Sequence, residues 1–260
     1  LMNSLENKIV LITGASSGIG AACAKIFAQG KAKLILNARR QELLEKLGGE
    51  LEKEYGSKCY FLPFDVRDRA TLEKSLSSLP PEWSNIDVLI NNAGLSRGLD
   101  PLQEGSIPDW EEMIDTNVKG LLYMTRYIVP QMVERGSGHI INVGSIAGHQ
   151  TYPKGNVYCA TKAAVRTLSE GLKQDLLGTP VRVSCVDPGL VETEFSLVRF
   201  RGEAEKAEKT YQGLTPLSPE DIADVIYFCA TRPPHVNVSE MLVIPTDQSA
   251  STMVYRRGSK

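Results

Sequence analysis

Short apolar runs alternate with amphipathic stretches from one end of the chain to the other. Ile9, Val10, Leu11 and Ile12 make the first run, and 34–36, 58–64, 86–90, 139–143, 181–186 and 240–244 follow at intervals. Runs this short and this apolar predict parallel strands buried on both faces. The stretches between them carry apolar residues at helical spacing. Leu43, Leu44, Leu47 and Leu51 stand among Glu and Lys over 41–55, giving one apolar face to lay on a sheet. Ala21, Ala22, Ala24, Ile26 and Phe27 predict a small-residue helix after the first strand. A longer helical region over 107–135 has Pro108 near its start and Gly136 just past its end. Ala160, Ala164, Val165, Leu168 and Leu172 mark the buried side of a helix beginning near Val157, and a last helix over 220–231 is stopped by Pro233 and Pro234. Strand and helix in alternation predict an α/β fold. The connection over 190–218 is far longer than usual and predicts a lid, with a short helix inside it over 201–212.

At 260 residues, 42% hydrophobic and 23% charged, the chain has the composition of a globular protein, and one domain spanning 1–260 is expected. A net charge of -2 and the lack of a dense basic run give no pull toward nucleic acid or an anionic membrane. No stretch approaches the roughly 20 apolar residues of a membrane span. Cys23, Cys59, Cys159, Cys185 and Cys229 are scattered without Cys-x-x-Cys spacing, and His139, His149 and His235 do not cluster with them. Reduced thiols, no metal and a cytoplasmic location are the corresponding expectations.

Polar chemistry gathers where the predicted strands end. The first strand runs into Thr13-Gly14-Ala15-Ser16-Ser17-Gly18-Ile19-Gly20. Glycines there permit a sharp turn and a close ligand, while the amides of the following helix face an anion, so a nucleotide phosphate is expected. The spacing Gly-x-x-x-Gly-x-Gly departs from the commoner Gly-x-Gly-x-x-Gly. After the second strand come Asn37, Ala38, Arg39 and Arg40. An acid at that place binds a ribose 2′-hydroxyl, whereas arginine accommodates a 2′-phosphate, so NADP is favoured over NAD. Asp65 and Val66 close the third strand, Asp65 either accepting from an adenine amino group or capping the helix that begins near Asp68. The fourth strand delivers Asn91, Asn92, Ala93 and Gly94, suited to a backbone lying along the cofactor, and the sixth leads into Pro188, Gly189, Val191 and Thr193, counted with the cofactor-binding candidates.

The fifth strand ends at Gly144 and Ser145; Tyr158 and Lys162 come next, four residues apart on one helix. Positions i and i+4 share a helix face, so both side chains can enter one site. A nearby ammonium lowers the pKa of a phenol, and about three units of lowering require roughly 4 kcal/mol. Asn117, polar within the 107–135 region, reads by itself as a solvated helix residue.

With the glycines at 14, 18 and 20, the 91–94 stretch, Asn117, Ser145, Tyr158, Lys162 and Pro188-Gly189 in this order and at these spacings, the chain resembles the short-chain dehydrogenase/reductase family over essentially its whole length. The resemblance implies a single Rossmann-type three-layer domain with a seven-stranded parallel sheet, and hydride transfer with NADP(H). It also implies roles. Tyr158 would donate a proton to a carbonyl oxygen, Lys162 would depress its pKa and bind the nicotinamide ribose, Ser145 would hold the substrate oxygen, and Asn117 would organise a water leading to Lys162. That reverses the solvated reading of Asn117. Segments 83–94, 113–126, 138–145, 188–201 and 206–211 are similar to the NADP-dependent 3-hydroxy acid dehydrogenases, which act on serine, allo-threonine, 3-hydroxypropionate and malonic semialdehyde. A carboxylated substrate needs a cation; Arg199 and Arg201 are the first candidates, with Lys154 and Arg97 behind them. Two rivals stand beside this reading, a general carbonyl or 3-oxoacyl reductase of the same family and a non-catalytic NADP(H) sensor. The set of Ser145, Tyr158 and Lys162 argues against the sensor. The family's homotetramers are compatible with the apolar faces near 121–133 and 160–172.

Overall fold

Seven parallel strands, β1 (Ile9–Thr13), β2 (Lys33–Asn37), β3 (Cys59–Leu62), β4 (Val88–Asn91), β5 (Gly138–Val143), β6 (Val181–Pro188) and β7 (Glu240–Val243), form one sheet in the order β3-β2-β1-β4-β5-β6-β7. This computed structural model describes residues 4–258. The first three residues and the last two lie outside them. Every residue of β1 and β4 is buried, as continuous apolar runs require, whereas the edge strand β7 alternates exposed and half-buried positions.

Successive side chains of a strand point to opposite faces, and the two halves of the core follow that rule. Val10, Ile12, Leu34 and Leu36 pack with Phe27 of α1 (Gly18–Gln29), Leu44 of α2 (Gln41–Tyr55) and Ile222 and Ile226 of a later helix, Pro219–Ala230. Ile9, Leu11, Ile35 and Leu89 face the other way. They meet Leu72 of α3 (Arg69–Ser77), Trp83 of α4 (Pro81–Ser84) and Met124, Ile128 and Met132 of the helix Leu121–Arg135. Helices therefore cover both faces of the sheet. None of the helices among the described residues is long and apolar enough to cross a membrane.

The 107–135 region departs from a uniform helix. It consists of α5 (Ile107–Ile114), a π-helical turn over Asp115–Gly120, and α6 (Leu121–Arg135). A π turn widens the helix locally, and such turns concentrate at functional sites. This one carries Asn117 inward, only 2% exposed, which overturns its reading as a solvated residue.

Beyond β5, α7 (Asn156–Asp175) carries Tyr158 and Lys162 on its buried side. The 190–218 segment contains α8 (Phe195–Arg199) and α9 (Ala204–Tyr211) and is pinched at its base by a bridge between Val191 and Leu217. The last helix, α10 (Pro219–Ala230), starts with a capping box in which Ser218 and Asp221 satisfy each other's backbone amides.

Candidate active site

Strand order reverses between β1 and β4, and ligands of open α/β sheets bind beyond the carboxyl ends of the strands at such a point. A cleft of about 610 Å³ opens there. Gly14, Ser16, Ser17, Gly18 and Ile19 form one rim, and Asn92, Ala93 and Gly94 form the next. The rims are tied together. Thr13 Oγ1 accepts from the N–H groups of Asn92 (3.0 Å) and Ala93 (2.9 Å), and Asn92 Nδ2 donates to the Thr13 carbonyl oxygen (2.9 Å). Gly14 has φ +64°, a conformation that suits glycine, and a side chain there would press on Ala93. Gly20, expected on the ligand, lies one layer beneath it, where a methyl would collide with the Gly14 carbonyl oxygen. Its place permits α1 to lie close under the turn.

Arg39, Arg40, Asp65 and Val66 line the far end of the cleft. Asn37 is buried and donates to the Leu62 (2.8 Å) and Phe64 (3.0 Å) carbonyl oxygens, so no acid occupies the end of β2. Arg40 Nη2 reaches Ser16 Oγ at 3.2 Å and Glu194 at 3.5 Å. Asp65 is not a helix cap: Asp68 fills that place, accepting from the Thr71 N–H at 3.1 Å. The Asp65 carboxylate instead takes the Arg67 fork at 2.7 and 3.0 Å. Partial burial pushes its carboxyl up, but those Arg67 hydrogen bonds outweigh it and hold the pKa below the usual carboxylate value. Two arginines and no acid at the end of β2, a glycine turn at a helix start, and the buried Thr116 hydroxyl on the cleft, without a partner among the described residues, fit a phosphorylated dinucleotide.

Nearer the middle, Ser145, Tyr158 and Lys162 meet at the cleft with Pro188, Gly189, Val191 and Thr193. Lys162 Nζ donates to the Val143 carbonyl oxygen (2.9 Å) and lies 6.0 Å from the centre of the Tyr158 ring. Burial lowers its pKa to about 8 against the opposing pull of Cys185 and Asp187. Tyr158 differs from expectation. Burial raises its pKa, opposed by the charge of Arg199 and a hydrogen bond with Ser145, and Lys162 is not the cation nearest its ring. The dry setting that brings the pair together disfavours both charged forms.

Asn117 stands behind this row. Its Oδ1 accepts from the Leu95 N–H (2.8 Å), and its Nδ2 donates to the Leu95 carbonyl oxygen (2.8 Å) and to Thr161 Oγ1 (3.0 Å). It thereby joins the chain after β4 to α7. A methyl built on Gly94 would lie 3.2 Å from Asn117 Oδ1 and 3.5 Å from Lys162 Nζ, so the two side chains are neighbours across Gly94.

Of the four basic candidates for a carboxylate, Arg199 alone lines the cleft among the described residues. Its guanidinium lies 5.3 Å from the Tyr158 ring, 5.2 Å from Phe195 and 5.8 Å from Tyr152. Nε donates to Ser96 Oγ (3.0 Å) and Nη2 to the Tyr152 hydroxyl (2.9 Å). Arg201 turns away to pair with Asp109, Lys154 lies beside a small side pocket, and Arg97 is held by Glu112. Tyr152, Phe195 and Ser96 had no signal in the sequence, because Tyr152 and Ser96 lie in irregular stretches and Phe195 opens a helix of five residues, too short for periodicity to mark an inward side. Elsewhere, His149, Asp187 and Glu240 bring their ligand atoms within 4.8 Å of one another, with His149 bonded to Asp187 at 3.0 Å and Glu240 paired with Arg166.

The family model of short chain dehydrogenases matches residues 8–203. The chain belongs to the short-chain dehydrogenase/reductase family. It is 52% identical to the NADP-dependent 3-hydroxy acid dehydrogenase YdfG of Escherichia coli O6:H1 over 96% of this chain and 100% of that one. It is 42% identical to serine 3-dehydrogenase of Agrobacterium fabrum over 95% of this chain and 98% of that one. Among solved structures, the closed form of serine dehydrogenase complexed with NADP+ matches with a TM-score of 0.89 and 51% identity, covering 96% of this chain and 99% of that one. As a short-chain dehydrogenase/reductase with these relatives, the protein is an NADP-dependent oxidoreductase acting on CH–OH groups.

Proposed function

We propose that this dehydrogenase interconverts small 3-hydroxy acids and their 3-oxo counterparts, with serine, allo-threonine, 3-hydroxypropionate and malonic semialdehyde as the substrates. The observation that carries the reading is Arg199. Its guanidinium faces the Tyr158 ring inside the cleft, and its Nη1 has no protein partner among the described residues, which leaves one edge for a carboxylate. Relatives named for 3-hydroxy acids and for serine support it.

In reduction the Tyr158 hydroxyl gives its proton to the substrate oxygen, which the Ser145 hydroxyl holds by a hydrogen bond. The raised pKa of Tyr158 keeps that proton in place at neutral pH. Lys162 places an ammonium beside the site as the phenolate forms, and Asn117 fixes the backbone after β4 against α7. Bound NADPH supplies the hydride. Arg39 and Arg40 would hold its 2′-phosphate, the 14–19 turn its pyrophosphate, and Asp65, Val66 and the 92–94 and 188–193 stretches its adenine and ribose ends. The 190–218 segment acts as the lid, and a homotetramer covers the exposed Leu122 and Val133 of α6. A cytoplasmic setting belongs to the same reading, supported by five unpaired thiols.

The test is turnover with NADP(H), using serine, allo-threonine and 3-hydroxypropionate in one direction, and malonic semialdehyde, an uncharged ketone and a 3-oxoacyl thioester in the other. Activity strongly favouring the small carboxylates over uncharged carbonyls is expected. Activity with the ketone or thioester alone would replace the reading with a general carbonyl reductase.

A further inference from the structure

Arg97 touches neither the cleft nor solvent to any great extent, yet it meets the lid. The short helix α8 ends in carbonyl groups short of helical partners, the Val198 oxygen being reached within the following chain by the N–H groups of Phe200 and Arg201. Two of them are met by the chain that follows β4. Arg97 Nη1 donates to the Val198 carbonyl oxygen (2.6 Å), and the Gly98 N–H donates to the Arg199 carbonyl oxygen (3.1 Å). Between these two contacts the Arg199 side chain doubles back to donate to Ser96 Oγ at 3.0 Å. Three consecutive residues, 96–98, therefore grip the end of α8 and the arginine it carries.

The grip is itself held. Glu112 of α5 takes Arg97 Nε at 2.6 Å and Nη2 at 3.1 Å, leaving Nη1 aimed at Val198. This pair is shielded, with side-chain exposures of 15% for Arg97 and 19% for Glu112, whereas the Arg201 that pairs with Asp109 is 63% exposed. The hydrogen bond from Arg97 holds the Glu112 carboxyl below its ordinary value, so the acid is ionised at neutral pH. A planar fork can serve two acceptors in fixed directions at once, which a lysine ammonium does only loosely.

We propose that Arg97, clamped by Glu112, is a positioning residue that caps α8 and holds Arg199 against Tyr158, and so sets affinity for the substrate carboxylate. The substrate half of this statement rests on the reading of Arg199 given above. Arg97 thereby leaves the group of residues that could bind substrate directly, because its fork is held on Glu112 and Val198, away from the cleft lining.

Two measurements test it on the full-length enzyme, using Arg97→Ala, Arg97→Lys and Arg199→Ala. The first is hydrogen exchange. Arg97→Ala is expected to speed exchange about tenfold at the Gly98 amide and at the amides that bond along α8, those of Val198, Phe200 and Gly202, with the sheet unchanged. The second is steady-state kinetics with malonic semialdehyde beside propanal, which is similar in size but uncharged. Arg97→Ala is expected to raise KM for the semialdehyde about tenfold or more, leaving kcat and KM for propanal and the dissociation constant of NADPH within about twofold. Arg97→Lys should recover part of both effects. Unchanged exchange at α8, or an equal rise in KM for both substrates, would overturn the positioning role. Arg199→Ala separates the two layers of argument. If it leaves the semialdehyde KM unchanged, the carboxylate reading of Arg199 is overturned, and the exchange result still upholds or rejects the clamp by itself.

Discussion

Tyr158 and Lys162 share a helix face, and burial disfavours the charge on each, raising the phenol and lowering the ammonium to about 8. The two protons belong to one coupled site, so the pH dependence of turnover reports the pair. Oxidation needs the phenolate and reduction the phenol. Oxidation should therefore rise on the alkaline side, as the raised Tyr158 phenol gives up its proton, while reduction falls. In Lys162→Ala the phenolate loses its nearby cation, and the alkaline limb of a pH–rate profile should move higher still; an unmoved limb would remove Lys162 from proton transfer. Tyr158→Phe should lose at least about a hundredfold in turnover while binding NADPH as before. At the other end of the cleft, Arg40 sits between Ser16 and Glu194, 3.5 Å from the latter. A 2′-phosphate arriving there competes with the Glu194 carboxylate for Arg40. Both side chains are about half exposed, so the competing pair is worth under about 1 kcal/mol. Glu194→Gln should tighten NADPH binding by up to about fivefold and Arg40→Ala should weaken it, with NADH indifferent to both in fluorescence titration.

At the scale of elements, the strands and the helices facing them were legible because their periodicities are those of buried parallel strands and one-sided helices. The i, i+4 spacing of Tyr158 and Lys162 was legible for the same reason. What stayed hidden were features that no period encodes. A π turn over Asp115–Gly120 breaks the 3.6-residue phase, so the side to which Asn117 turns could not be read from its neighbours. Asp65 and Asp68 both satisfy capping preferences, and only the positions of Thr71 and Arg67 decide between them. Arg97 and Arg199 are equally basic, but what each side chain meets is fixed by chain segments roughly a hundred positions apart in sequence, which local pattern does not specify. The π turn also has a testable strength. Asn117→Ala would leave the Leu95 N–H and carbonyl and the Thr161 hydroxyl short of a partner in a buried place, costing about 2 kcal/mol or more. The guanidinium midpoint measures it. A change within about 0.5 kcal/mol, the range of ordinary surface substitutions, would mean that the turn is held by other contacts.

For the molecule as a whole, titrating groups kept from water set the alkaline limit of stability. Burial raises the pKa of all five thiols, Cys59 and Cys229 to about 11, and raises the phenols of Tyr152, Tyr158 and Tyr211 in the same sense. A group whose folded pKa lies above its unfolded value contributes stability that is whole below the unfolded pKa and is lost as pH climbs through the folded one. For the thiols that loss begins near their ordinary value of 9.0. Lys162 acts in the opposite sense, since its folded pKa of about 8 lies below 10.5 and the neutral amine favours the folded state as pH rises between them. One amine does not offset five thiols, each worth up to about 1.4 kcal/mol per pH unit over its own window. The guanidinium midpoint should therefore be steady around neutrality and fall from about pH 9 upward. Cys23→Ala, which removes a fully buried thiol from the helix that follows the glycine turn, should flatten that fall even if it lowers stability at pH 7. A midpoint that holds or rises through pH 10 in the unaltered chain would mean that these thiols and phenols ionise as readily folded as unfolded, against their burial.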